Sequence, residues 1–240
     1  DVGRLDLVVV ASANAVHAEQ ARAALDAGNA VVVDKPLDLT AGAARDLVAY
    51  AAGRPLTVFQ NRRLDSDFRT IQRLRAEGEL GEVRRLESRF ERWRPQLGRG
   101  KWREVLPPDE GGGILLDLGS HLVDQALVLS GPVERVYAEV RELRGGGDDD
   151  AFLALSHRSG TVSHLWASAV AAAPGPRFRV LGSAGAFVVR DLDGQEDQLR
   201  AGLPADDPAF GLEPLQRWGH LVRGVESVPV EPSRGAWASF

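Results

Sequence analysis

The sequence predicts an α/β chain in two parts: a parallel sheet with helical crossovers, then an α+β domain on a large, mostly antiparallel open sheet. Three observations predict it. Residues 1–62 alternate strand, helix, strand, helix, strand with short connections, an order that parallel strands with right-handed crossovers satisfy. Strand-like runs at 133–142, 151–157, 161–168, 177–182 and 186–190 then follow one another across hairpin-sized turns, the mark of antiparallel pairing. Around Asn61–Asp65 one pattern gives way to the other, which sets domains of 1–62 and 63–240.

Each element has a local reason. The β-branched run from Leu5 to Ser12 predicts a strand covered on both faces. Ala15 to Ala27 predicts a helix with Val16, Ala21, Ala24 and Leu25 as its apolar side and Gly28 as its stop. Ala30 to Val33 is a second buried strand, broken by Pro36. Thr40 N-caps a helix from Ala41 to Ala52 that Gly53 ends, and Leu56 to Gln60 is the third strand. Beyond the boundary, Phe68 to Ala76 is helical and Val83 to Trp93 alternates. There Arg85, Glu87, Arg89 and Glu91 share one parity, and Leu86, Ser88 and Phe90 the other. The triplet Gly111-Gly112-Gly113 reads as a hinge before a helix from Ile114 to Ser130.

Composition narrows the function. The 240 residues are 44% hydrophobic and 26% charged, values of a globular protein rather than a disordered one. A net charge of −5 argues against a general nucleic-acid binder, and no apolar run reaches the roughly 20 residues that cross a bilayer. Without cysteine there is no disulfide, thiolate metal site or cysteine nucleophile. No methionine is present and the chain opens on Asp1-Val2-Gly3, so the sequence reads as part of a longer protein, with no secretory leader in view and a cytoplasmic setting expected. All but two of the 29 basic residues are arginine; the exceptions are Lys35 and Lys101, the latter with no role assigned.

Three places could carry chemistry. At about 100° per residue, Asp117, His121 and Asp124 fall within about 60° of one another on a helix whose other side is Leu115, Leu118, Leu122, Ala126 and Leu129. Neighbouring carboxylates are expected to raise the imidazole's pKa and poise it for proton transfer. The same stripe could equally be a solvated face with ordinary i,i+4 pairing, and it offers too few ligands for a metal unaided. Asp34-Lys35-Pro36 lies at the carboxyl end of a parallel strand, where open sheets bind ligands; a surface lysine in a proline turn is the plainer reading. Ser12, Asn14 and His17 end the preceding strand, and Gln60-Asn61-Arg62-Arg63 ends the next, so three adjacent rims form one cleft edge.

In this order and spacing, Ser-Ala-Asn with a nearby His, Asp-Lys-Pro, Gln-Asn-Arg-Arg and Gly-Gly-Gly-Ile-Leu-Leu-Asp-Leu-Gly-Ser-His-Leu-Val-Asp resemble the Gfo/Idh/MocA family of NAD(P)-dependent oxidoreductases. The likeness runs from Leu5 to about Phe240. It implies the later part of a Rossmann domain followed by an α/β domain whose open sheet serves assembly, as a dimer or tetramer. It implies hydride exchange between NAD or NADP and the carbinol carbon of a sugar, cyclitol or similar polyol. Lys35 then matches the lysine that hydrogen-bonds the reacting oxygen, His121 the proton-transfer histidine and Asp117 its positioning partner. Ser12, Asn14, His17, Asp34, Pro36 and Asn61 match the nicotinamide end of the cofactor site, and Trp102 and Arg103 a pair near cofactor or substrate. Asp34 stands where the family usually has glutamate. No Gly-x-Gly-x-x-Gly occurs in these 240 residues, and the resemblance places Leu5 at the family's fourth strand. A catalytically silent relative that uses the sheet for assembly is the alternative, and a metal-dependent hydrolase on Asp117, His121 and Asp124 a third reading.

Overall fold

The computed structural model describes residues 5–98 and 102–240, so Lys101 lies outside the described residues. The first sheet holds β1 (Leu7–Val10), β2 (Ala30–Asp34) and β3 (Leu56–Phe59) in that order, all parallel. They are joined by α1 (His17–Asp26) and α2 (Ala41–Ala51), and the Thr40 hydroxyl caps α2 by accepting the Ala43 N–H at 3.1 Å. Register sets Val10 beside Val33 and Asp34 beside Phe59, so the three carboxyl ends share one rim. Val8, Val10, Val31 and Val33 pack on Ala21, Ala24, Leu25 and Leu47. The strands therefore alternate rather than being covered on both faces. Leu7 and Val9, of the other parity, are 51% and 63% exposed, because no described helix lies over them.

The second sheet has eight strands. β4 (Val83–Glu91) sits near its middle, flanked by the parallel β7 (Val162–Ser168) and the antiparallel β8 (Phe178–Gly182). Beyond β7 come β6 (Asp150–His157) and the edge strand β5 (Val133–Arg141). Beyond β8 come β9 (Ala186–Val189), β10 (His220–Arg223) and β11 (Glu226–Pro229). Every neighbouring pair except β4–β7 is antiparallel. Against the inner face lie α3 (Ser66–Ala76) and α5 (Ser120–Ser130), burying Phe68, Ile71, Leu122 and Ala126 on Leu86, Phe90, Leu165 and Phe178. Two short helices complete the chain, α4 (Trp102–Val105) and α6 (Gln195–Arg200).

The segment expected as one helix from Ile114 is in two parts, a π turn over Leu115–Gly119 and then α5. Nor is the triple glycine a hinge. A Cβ on Gly112 would stand 1.9 Å from the Leu106 carbonyl oxygen, and one on Gly113, whose φ is +93°, 1.9 Å from Asp148 Oδ1. These glycines let a backbone carbonyl and a carboxylate approach the chain closely and are buried where they do so.

Polar contacts tie the two parts together. The Asn14 amide donates to the Gly111 carbonyl at 2.8 Å, and the Gln125 amide to the Arg62 carbonyl at 2.7 Å. Arg63 grips Asp124 with two bonds of 2.7 and 2.6 Å. Beneath this seam Arg177 is buried among Asp67, Asp65, Asp193 and Arg62, donating to Ser88 and, at 2.8 Å, to Gln125. Burial pulls its guanidinium down to about 10 and pushes the Asp67 carboxyl up to about 6. Removing one partner of such a pair leaves an uncompensated buried charge, so Arg177→Met is expected to cost about 3–5 kcal/mol in urea unfolding. Adding Asp67→Asn should return part of that loss; a midpoint unchanged by Arg177→Met would refute the account.

Candidate functional site

Lys35 directly follows β2 and reaches across the seam. Its Nζ donates to Asp117 Oδ1 at 2.6 Å and to the Asp117 carbonyl at 2.7 Å, with the Lys35 side chain 9% and the Asp117 side chain 28% exposed. An ammonium carries three donors, so one N–H remains for another acceptor. The geometry depends on the π turn, which presents the carbonyl and the side chain of Asp117 to the same cation. Such single-turn π segments recur at functional sites.

His121, in the first turn of α5, is 4% exposed, with its ring against the Phe90 ring at a centroid separation of 6.2 Å. Its Nδ1 is buried without a hydrogen-bond partner. The expected upward pKa shift is reversed. Burial first, then the charges of Lys35, Arg62 and Arg177, hold the imidazole well below its ordinary 6.5. The carboxylates that were to raise it are engaged elsewhere, Asp117 with Lys35 and Asp124 with Arg63. For the same reason Asp117, His121 and Asp124 do not converge as ligands, and among the described residues no group of three or more acidic or histidine side chains could hold a metal.

The rim residues divide by what they touch. His17 is fully buried, its Nδ1 2.8 Å from the Pro36 carbonyl and its Nε2 3.2 Å from the Ser12 carbonyl, so it ties two rim loops instead of facing the cleft. Ser12 donates to Gln20 at 2.7 Å, Asn14 is spent on Gly111, and the Asp34 carboxylate accepts the Lys35 backbone N–H at 2.8 Å. Neither Ser12 nor Asn14 caps a helix by its side chain. Asn61 opens the short turn after β3, at the same end of the sheet. Trp102 and Arg103 do reach the site: the guanidinium lies 4.3 Å from the centre of the Trp102 ring and 3.7 Å from Asp117 Oδ1.

Those two residues line a cavity of about 370 Å³ with Asp117, Arg92, Arg94, Glu104, Arg144 and Asp148. The arginines at 92, 94 and 144 escaped the sequence reading, although a signal existed. Residues 86, 88 and 90 mark the inward parity of β4, and half-buried Arg92 continues it, while Trp93 after it is 56% exposed. A second cavity, of about 270 Å³, shares Arg92 and Arg94 and adds Arg62, Phe90, Leu118 and Glu196.

Residues 68–188, half of the chain, match the family model of the GFO/IDH/MocA C-terminal domain, and residues 1–61 match that of an oxidoreductase family with an NAD-binding Rossmann fold. The chain belongs to the Gfo/Idh/MocA family. Within it, the sequence is 45% identical over 213 residues to the uncharacterized oxidoreductase YdgJ of Escherichia coli, covering 87% of this chain and 61% of that protein. It is 34% identical over 234 residues to the NADP(+) scyllo-inositol 2-dehydrogenase IolW of Bacillus subtilis, covering 94% and 64%. An oxidoreductase structure from Bacillus cereus superposes with a TM-score of 0.87 at 26% identity, covering all of this chain and 71% of that one. The chain thus spans less than two thirds of the curated relatives named here. Gfo/Idh/MocA proteins are NAD-binding Rossmann oxidoreductases, and the parallel β1–β3 sheet followed by the eight-stranded sheet is their architecture. No described helix is long and apolar enough to cross a membrane.

Proposed function

We propose that the full-length protein exchanges hydride between a nicotinamide dinucleotide, NAD or NADP, and the carbinol or carbonyl carbon of a sugar, cyclitol or similar polyol. One observation carries this reading. An ammonium from the first part of the chain is bonded to Asp117 of the second, and its charge reaches a buried imidazole of that second part whose Nδ1 has no partner. Relatives whose names include a scyllo-inositol 2-dehydrogenase and a D-apiose dehydrogenase support the substrate class.

The chemistry of the residues present fits the nicotinamide end of such a site: the Nδ1 of His121 has no hydrogen-bond partner and Lys35 keeps one uncommitted N–H. The dinucleotide, when bound, supplies the hydride acceptor. The chain does the rest. His121, neutral because its charged form is disfavoured, accepts the hydroxyl proton. Lys35, fixed by its two bonds to Asp117, donates to the oxygen as negative charge develops there. Asp117 keeps the ammonium aimed, and Arg103 flanks that carboxylate. Ser12, Asn14, His17, Asp34, Pro36 and Asn61 shape the rim, the first four through side-chain hydrogen bonds and Pro36 through its carbonyl.

The test is a screen of polyols and sugars with NAD and NADP, followed as nicotinamide reduction by the full-length protein. Oxidation of at least one polyol is expected, and none with either dinucleotide would end the reading. Assembly through the open sheet belongs to the same proposal. Tyr137, Phe152, His164 and Trp166 form a ladder of touching rings on its outer face, and Tyr137 is 58% exposed. Tyr137→Glu is expected to shift the sedimentation coefficient toward that of the monomer; an unchanged value would remove this face from the assembly.

A further inference from the structure

We infer that the substrate of this site carries an anionic group, a carboxylate or a phosphate on its sugar frame, and that Arg92 receives it. The inference deepens the hydride-transfer proposal above and rests on it for the placement of the sugar. Its first ground is direction. Arg92 continues the inward parity of β4, and its backbone is held from both sides, the N–H donating to the Ser168 carbonyl at 2.9 Å and the carbonyl accepting the Ala171 N–H at 3.1 Å. Arg92 therefore lines the cavity that Asp117 also lines, and the adjoining one, from a pinned strand end rather than a loose loop.

The second ground is the charge pairing. Of the four arginines lining that cavity, three are matched: Arg94 to Glu104 at 3.6 Å, Arg103 to Asp117 at 3.7 Å, and Arg144 to Glu104 at 3.1 Å and, outside the lining, to Asp149 at 2.9 Å. The remaining lining carboxylate, Asp148, is taken by the Leu115 backbone N–H at 2.8 Å. Among the described residues Arg92 alone of the four makes no side-chain hydrogen bond or ion pair. Burial and the neighbouring Arg94 make its charged form costly, and Asp117, Glu104 and Glu196 offset this only from a distance.

A half-buried cation left without a partner is unfavourable. A planar guanidinium offers a carboxylate or phosphate two parallel hydrogen bonds, which neutral hydroxyls cannot match in strength. A wholly neutral polyol would leave this charge unanswered. An acidic sugar that extends from Lys35, past its partner Asp117, into the cavity that Asp117 lines would answer it.

The experiment measures binding of D-glucose, D-glucuronate and D-glucose 6-phosphate to the full-length protein by calorimetry, with nicotinamide reduction read in parallel. At least one of the two acids is expected to bind tenfold or more tightly than glucose, the better acid telling carboxylate from phosphate. Arg92→Gln should abolish that preference, and Arg92→Lys should keep part of it. Circular dichroism melts establish that both variants fold. Equal binding of glucose and both acids overturns the inference, as does a preference that survives Arg92→Gln, or no measurable binding of either acid. So does a tenfold loss of dinucleotide affinity in Arg92→Gln with sugar affinity unchanged, which would assign the arginine to the cofactor. Acids bound through Arg92 with no nicotinamide reduction by any sugar or polyol of the screen would sink the hydride-transfer reading and keep the anion site. Turnover of neutral polyols with equal kcat/KM in wild type and Arg92→Gln would do the reverse.

Discussion

Full-length protein carrying Lys35→Met is expected to turn over at least a hundredfold more slowly than wild type, with its fold intact. Methionine keeps the length and apolar stem of lysine and removes only the ammonium. Two bonds to Asp117 disappear with it, as does the N–H left for the reacting oxygen. Groups that stabilise a developing charge or move a proton contribute roughly 10²–10⁴ in rate. The remaining cation beside Asp117, Arg103 at 3.7 Å, belongs to the second part of the chain and flanks the carboxylate rather than replacing the ammonium. The measurement is kcat on the best polyol from the screen, alongside a circular dichroism melt. Turnover within a factor of a few of wild type would remove Lys35 from the chemistry.

His121→Asn is expected to cost a similar factor and also to change the shape of the pH profile. Burial is the first cause of the depressed imidazole pKa, followed by Lys35 after β2, Arg62 after β3 and Arg177 ahead of β8. The neutral base therefore persists to pH values below its ordinary 6.5, and the acid limb of kcat/KM for oxidation should fall below that point. In the variant that limb should vanish. Stability follows the same sign: as pH drops through 6.5 the unfolded chain takes up a proton that the folded chain refuses, so acidification destabilises wild type more than His121→Asn. An acid limb at or above 6.5, or one that survives the substitution, would contradict the assignment.

The alternation of residues 7–59 made the parallel sheet legible, since a β-branched run, an alanine-rich helix and a glycine stop each specify their own geometry locally. The antiparallel strands from Val133 to Val189 were legible for the same reason. The pairing of β4 with β7 in parallel was not, because a contact between residues 83–91 and 162–168 leaves no local trace. β10 and β11 were missed: they are four residues each and interrupted by charge and proline. In the site, Lys35, Asp117 and His121 stood out as residue types at helical or rim spacing. Their electrostatics did not, because an ideal helix at 100° per residue ignores the π turn that gives Asp117 to Lys35. Arg177 and Arg92 look like two more surface arginines in a chain rich in them. Only the packing of Phe90 and Phe178 around one, and the uninterrupted parity of β4 beneath the other, separates them from the rest.

The Asn14–Gly111, Arg62–Gln125 and Arg63–Asp124 bonds set a limit on how such a protein can be recombined. Each joins a group before residue 64 to a group after residue 110. A chimera that grafts a foreign front half onto this rear half keeps its ammonium but inherits mismatched stitching around it. Altered preference for a new sugar is therefore expected to come more readily from exchanging cavity side chains one at a time than from swapping whole modules.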